Sequence, residues 1–293
     1  MRYAELLQKL ETALVFCENL GLGDRVEASR FKEYRTLIIR LCSIIDSYSF
    51  DSLPAGIKKE LTDRNFEYVL SLTESVELVE TMDYLKTCDK EIARVKLANI
   101  LGGPLLPKDE DKNSNEARNT LFEVSLASKI WSAGLKPSLG RLADIEIEVA
   151  GKLLLIECKR PFREKRIKRR MKEARKQIDG WVKDRPPGSR GVIAVSVTKV
   201  LNPGDKILPY RDVSSAKATL SRLLEQLANR NKKSLQSLGK NIIGVLFHVI
   251  TPSIDEKQYS LGEQFNTHPL AKPGSADESA LEALFDALNR LEH

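Results

Sequence analysis

The stretch DIEIEVAGKLLLIECK, residues 144–159, decides how the chain is read. It forms two runs around Ala150-Gly151, as two strands joined by a tight turn would. The first run alternates charged and apolar residues, and the second is apolar from Leu153 to Ile156. Yet the second run ends in Glu157 and Lys159, and the first starts at Asp144. A two-residue turn sets Val149 opposite Lys152 and Asp144 opposite Glu157, on one side of the sheet. A four-residue loop over 149–152 keeps this register. A three-residue loop shifts it by one and sends the two acids to opposite faces unless a bulge restores them. Facing carboxylates, roughly 5 Å apart at Cβ, repel, so one pKa rises unless a cation intervenes. Lys159 lies two residues past Glu157 and points the same way. Two carboxylates and one ammonium on one sheet face form a hard-oxygen pocket suited to Mg²⁺ or Mn²⁺.

The pattern Asp144-x12-Glu157-x-Lys159, inside a hairpin and after a helix, resembles the PD-(D/E)XK nuclease superfamily, the restriction-endonuclease-like fold. The resemblance covers residues 114–250 and not the N-terminal helical region. Two other acid-x-Lys matches, Glu110-Asp111-Lys112 and Asp255-Glu256-Lys257, sit in polar stretches without an Asp across a hairpin. Ala143 stands where the family's eponymous proline would precede the aspartate.

The resemblance implies an α/β fold, a mixed central sheet with flanking helices built on an αβββαβ core. It implies a Mg²⁺- or Mn²⁺-dependent nuclease acting on nucleic acid, with DNA the expected substrate. Asp144, Glu157 and the Cys158 backbone carbonyl would hold the metal, and Lys159 would orient or help deprotonate the attacking water. Relatives often place a Glu on the first helix against the metal. Glu123 fits, because its helical neighbours Leu126, Ala127 and Ile130 put it in an apolar stripe where an unpaired carboxylate is costly. Glu116, one heptad earlier, is the alternative. Many relatives carry a Gln or Lys on the next helix near the site, and Gln177 borders that helix's apolar face.

That next helix is basic. Of the eighteen residues KRPFREKRIKRRMKEARK, 159–176, eleven are Lys or Arg and two are Glu. Ile167, Met171, Ala174, Ile178 and Trp181 step by four and three and mark its buried face. Arg163, Lys165, Arg166, Lys168, Arg169, Arg170, Lys172, Arg175 and Lys176 are the expected phosphate contacts, gripping backbone without reading bases. The plainer expectation for such a run is a solvated helix face. Two other functions stay open: a catalytically inactive nucleic-acid-binding module on the same fold, and a basic scaffold for protein partners.

Outward from the hairpin the periodicity divides the chain. Residues 1–101 read as all-helical, with apolar residues at three-and-four spacing and breaks near Gly21 and Pro54. This region is a candidate homo-oligomer contact. Residues 102–114, rich in Gly, Pro and charge, read as a linker. Residues 115–293 read as the nuclease-like domain, in the order α-β-β-β-α-β-α-β-α. Its first helix starts at Ser114 or Asn115 and stops at Gly134. A short extended piece covers 136–141. GVIAVSV and NIIGVLFHVI read as buried strands, a long irregular stretch follows, and 277–291 closes the chain as an amphipathic helix.

The composition narrows the field. The chain has 293 residues, 42% of them hydrophobic, and a net charge of +6, enough for a sizeable core or two. The three histidines are scattered, which argues against a histidine zinc site. The four cysteines form no CxxC pair and read as reduced thiols of a cytoplasmic protein. MRYAELLQKLE carries charge from its second residue, unlike a secretory signal. No apolar run approaches the ~20 residues of a membrane helix. No GxxxxGK[ST], HExxH or GxSxG motif offers a competing chemistry.

Overall fold

Three-and-four spacing of apolar residues yields helices and no strand among the described residues of the first hundred. The computed structural model describes residues 2–49, 52–110, 115–140, 143–202, 213–255 and 258–290. Asp111, Lys112, Ser114, Glu256 and Lys257, each singled out above, lie outside them. By contact the chain forms two units, one built mainly on Met1–Leu121, the other on Phe122–Pro203, Tyr210–Ile250 and Gly262–His293.

The first unit contains α1 (Tyr3–Asn19), α2 (Gly23–Glu27), α3 (Arg30–Ser47), α4 (Ala55–Asp63), α5 (Asn65–Thr87) and α6 (Lys90–Leu101). α5 has buried residues on every side, polar ones included. Among them is Glu74, which accepts from Arg30 Nε at 2.6 Å and Arg118 Nε at 2.5 Å. Burial opposes ionisation of Glu74, yet the two guanidiniums hold its pKa near 2. The same arginines bind the Gly/Pro-rich stretch. Arg30 donates to the carbonyls of Ile100 and Gly102, and Arg118 to Leu105 O and the Glu110 carboxylate. The described residues of the stretch read as a linker are therefore pinned along their backbone.

Then follow α7 (Glu116–Ser132), β1 (Ser138–Leu139), β2 (Ile145–Val149), β3 (Lys152–Lys159), α8 (Glu164–Trp181), β4 (Arg190–Ser196), α9 (Thr198–Leu201), α10 (Val213–Gln236), β5 (Ile242–Asp255), β6 (Gln258–Pro269) and α11 (Ala276–Arg290). The boundary between the units falls inside α7, between Leu121 and Phe122. Just past α7, Gly134 at φ +86° closes the last turn: its N–H donates to Trp131 O and that of Leu135 to Ile130 O. The fold is mixed α/β, with a six-stranded sheet in the order β1-β2-β3-β4-β5-β6. β1, β2 and β3 pair antiparallel, and β3, β4 and β5 pair parallel. The parallel strands are the apolar runs, as burial on both faces demands.

One face of the sheet is covered by α8 and α10. Ile167, Met171, Ala174 and Ile178 of α8 meet Ile193 and Val195 of β4 and Val245 and Phe247 of β5, all fully buried. Trp181 is partly buried against this core. The stretch expected to be irregular contains β6 instead. QYSLGEQFNTHP shows no apolar alternation, so its strand state comes from lying beside β5 rather than from its own pattern.

The β2–β3 turn has the register expected for two residues, Val149 opposite Lys152 and Ile145 opposite Ile156. Ala150 at φ +48° and Gly151 at φ +72° both take the left-handed conformation that a primed turn requires. Alanine is strained there and asparagine much less so. Ala150→Asn is expected to stabilise the protein by about 0.5–1 kcal/mol, read as a rise in denaturant midpoint at unchanged slope. A lower midpoint would mean that the turn does not hold this conformation.

Candidate active site

The register carries Asp144, one residue before β2, to the level of Glu157 and Cys158 on β3. Asp144 Oδ2 accepts the Cys158 amide at 2.7 Å, which fixes one carboxylate against the strand that bears the other. Glu157 is 2% exposed. Its Oε1 pairs with the Lys159 ammonium, while its Oε2 is buried without a hydrogen-bond donor. Burial and then the Asp144 charge push the Glu157 carboxyl up to about 7, against the pull of Lys159. The sequence expectation is that one of two facing acids has a raised pKa, and Glu157 is the one that rises.

Strand pairing gives the pair a side. Glu157 is in register with Ile193 and Lys159 with Val195, and both partners belong to the core under α8 and α10. Cys158, between them, points the other way. Burial raises its thiol pKa, and so do the charges of Asp144, Glu123 and Glu157.

Glu123 is therefore close to Cys158. It is 7% exposed on α7, among buried Leu126, Ala127 and Ile130 as its stripe predicted, whereas Glu116 is exposed. Gln177 is exposed on α8 and has no hydrogen bond to the pair. Among the described residues, no three or more His, Cys, Asp or Glu side chains are grouped to hold a metal ion. The pair thus offers two carboxylates and an orphaned buried oxygen. Mg²⁺ commonly takes one or two protein carboxylates and keeps waters for its other positions, so these residues fit such an ion.

α8 presents its cations unequally. Arg169 and Arg170 reach Glu173 at 3.3 and 2.9 Å. Arg175 reaches Asp179 at 3.1 Å and donates to Ser237 O at 2.9 Å. Arg163, Lys165, Arg166, Lys168, Lys172 and Lys176 are exposed and make no ion pair among the described residues.

Sequence reasoning missed a second polar group. His248 on β5 is 3% exposed, with its Nε2 2.6 Å from Glu263 Oε1. Lys129 on α7 reaches the other Glu263 oxygen at 2.7 Å. Burial opposes ionisation of Glu263, but Lys129 and His248 hold its pKa near 2. Phe122 and Phe265 flank the imidazole, with centroids at 5.3 and 4.8 Å. The available signal was a histidine inside the apolar run NIIGVLFHVI; its partner lay in a segment read as irregular.

Comparison with models of known families, with curated proteins and with solved structures finds no match.

The Glu157 carboxyl links stability to pH. Its pKa is 4.5 when unperturbed and about 7 in the folded chain, so between those values the native state binds the extra proton. This group's contribution to the metal-free protein is therefore fully present at low pH and lost as pH rises to about 7. Asp144→Asn removes the like charge while its amide oxygen can still accept the Cys158 N–H. It should raise the thermal midpoint at pH 8 and change it far less at pH 4.5. Equal shifts at the two pH values would show that the carboxylates do not titrate against each other.

Proposed function

We propose that the chain is a Mg²⁺-dependent nuclease of the PD-(D/E)XK type, hydrolysing phosphodiester bonds of nucleic acid, with DNA the expected substrate. The observation that carries this reading is the Asp144–Glu157 pair on a single hairpin, with Glu157 buried, Asp144 half-buried and Lys159 bonded to a Glu157 oxygen. The succession α7-β1-β2-β3-α8-β4 supports it, being the αβββαβ order of a restriction-endonuclease-like core.

In this reading Asp144, Glu157 and the Cys158 carbonyl hold the ion. Mg²⁺ or Mn²⁺, when bound, supplies a water of lowered pKa and offsets phosphate charge. The hairpin's own contribution is placement. The Cys158 amide fixes Asp144, and the Lys159 bond fixes one Glu157 oxygen and leaves the other ready to accept. Lys159, bonded to Glu157 and 15% exposed at the side chain, would hold a proton beside an attacking water brought in with the ion. It orients that water and stabilises charge developing on the phosphate. Buried Ile156 and Ile193 keep bulk water from the back of the pair. Glu123, against Cys158 on the other face of β3, supports the strand end that carries the acids. The exposed cations of α8 hold the substrate backbone.

Two outcomes are expected. Lys159→Ala should abolish Mg²⁺-dependent cleavage of labelled DNA while leaving DNA affinity in EDTA within about twofold. Wild-type cleavage by this variant would remove Lys159 from the mechanism; no cleavage by the wild type on linear, circular, single-stranded or branched DNA would favour an inactive binding module. Separately, Mg²⁺ at ten times its Kd should stabilise the wild type by about 1.4 kcal/mol, read as a rise in thermal midpoint. Asp144→Asn should lose that response, and if it responds as the wild type does, the ion binds elsewhere.

A further inference from the structure

Resting on the nucleic-acid reading above, we propose that one ridge of α8, formed by Lys165, Lys168, Lys172 and Lys176, grips the backbone of a duplex without reading sequence. The four lysines step by three, four and four, so they share one stripe of the helix. All are exposed and have no ion-pair partner among the described residues. The arginines Arg169, Arg170 and Arg175 are tied to Glu173 and Asp179, and of the remaining exposed cations Arg163 and Arg166 lie off the stripe that the four lysines share. A lysine ammonium is a compact point charge without the planar fork that matches base edges, so it suits phosphate rather than sequence.

The ridge spans roughly 17 Å, eleven residues at 1.5 Å each, room for several phosphates of one strand. The ridge runs along the side of α8 away from its buried residues Ile167, Met171, Ala174 and Ile178. α8 begins a few residues after Lys159 and packs on the face of the sheet to which Glu157 and Lys159 point.

The choice of duplex over single strand rests on the aromatic residues. Sequence-tolerant single-strand sites stack bases on exposed rings. In the sheet unit Phe122, Phe247, Phe265 and Phe285 are buried, and Trp131, Phe162 and Trp181 are half-buried. No described aromatic ring of this unit is exposed to serve as a platform. A charged stripe without stacking rings favours the denser charge of a duplex.

The test uses the full chain in EDTA, a labelled duplex of about 25 base pairs, and one of its strands alone. Affinities are measured across a salt series for the wild type and for Lys165→Gln/Lys168→Gln/Lys172→Gln/Lys176→Gln. All four changes are on the surface, and circular dichroism checks the fold. Tighter duplex than single-strand binding by the wild type is expected, with the salt slope on duplex smaller by about 3–4 in the variant, near 0.9 per lost contact. An unchanged slope, or equal or tighter binding of the single strand, overturns the proposal. Cleavage with Mg²⁺ is scored in parallel. A lost slope in a protein that never cleaves keeps the grip and removes the nuclease reading; cleavage with an unchanged slope does the reverse.

Discussion

Two carboxyl groups on neighbouring strands cannot both ionise in a buried place without a counter-charge, and the β2–β3 hairpin holds Asp144 and Glu157 under that constraint. One ammonium, from Lys159, is supplied on the same face. It engages one oxygen and leaves Glu157 Oε2 without a donor. Burial and the Asp144 charge therefore push the Glu157 carboxyl up to about 7. A purely structural hairpin gains nothing from this arrangement, since an apolar residue at 157 would pack among Ile156, Ile193 and Val195 without the cost. The rest of the fold makes the constraint persist. Parallel β4 fixes the strand that carries Glu157, the primed turn fixes its register with β2, and α8 packs on Ile193 and Val195, the β4 residues in register with Glu157 and Lys159.

The contrast with the other buried charges is instructive. Glu74 and Glu263 also lose water, yet Glu74 meets two guanidiniums and Glu263 the Lys129 ammonium and a His248 ring nitrogen, and each stays ionised well below the usual carboxylate range. Those acids act as fixed anchors, Glu74 for the 100–110 segment and Glu263 for the contact of α7 with β5 and β6. Glu157 has the Asp144 carboxylate beside it where Glu74 has a second guanidinium, and of these three acids it is the one whose carboxyl is pushed up rather than down.

How much of this was legible depended on how local its cause is. The hairpin register followed from the turn and the alternation around it, so Asp144, Glu157 and Lys159 could be set together from sequence. The buried face of α8 followed from five apolar residues at helical spacing, of which Ile167, Met171, Ala174 and Ile178 are fully buried and Trp181 partly so. β6 did not, because its strand state depends on β5 and not on QYSLGEQFNTHP itself. With it went Glu263, and so the meaning of His248. The Arg30–Glu74 pair spans 44 positions, and in sequence each residue is one helix charge among many. Which cations of α8 stay open was equally hidden, since Glu173 and Asp179 select Arg169, Arg170 and Arg175 by reach in three dimensions.

The most direct measurement of the central claim is calorimetric titration of the apo protein with Mg²⁺ or Mn²⁺ at pH 6, in two buffers of different ionisation enthalpy. If Glu157 holds a proton that the ion displaces, the heats will differ between buffers by the amount for close to one proton released per ion bound, and the difference will nearly vanish at pH 8.5. Binding heats independent of the buffer at pH 6 would contradict the account, because the ion would then be taking a site that carries no shared proton.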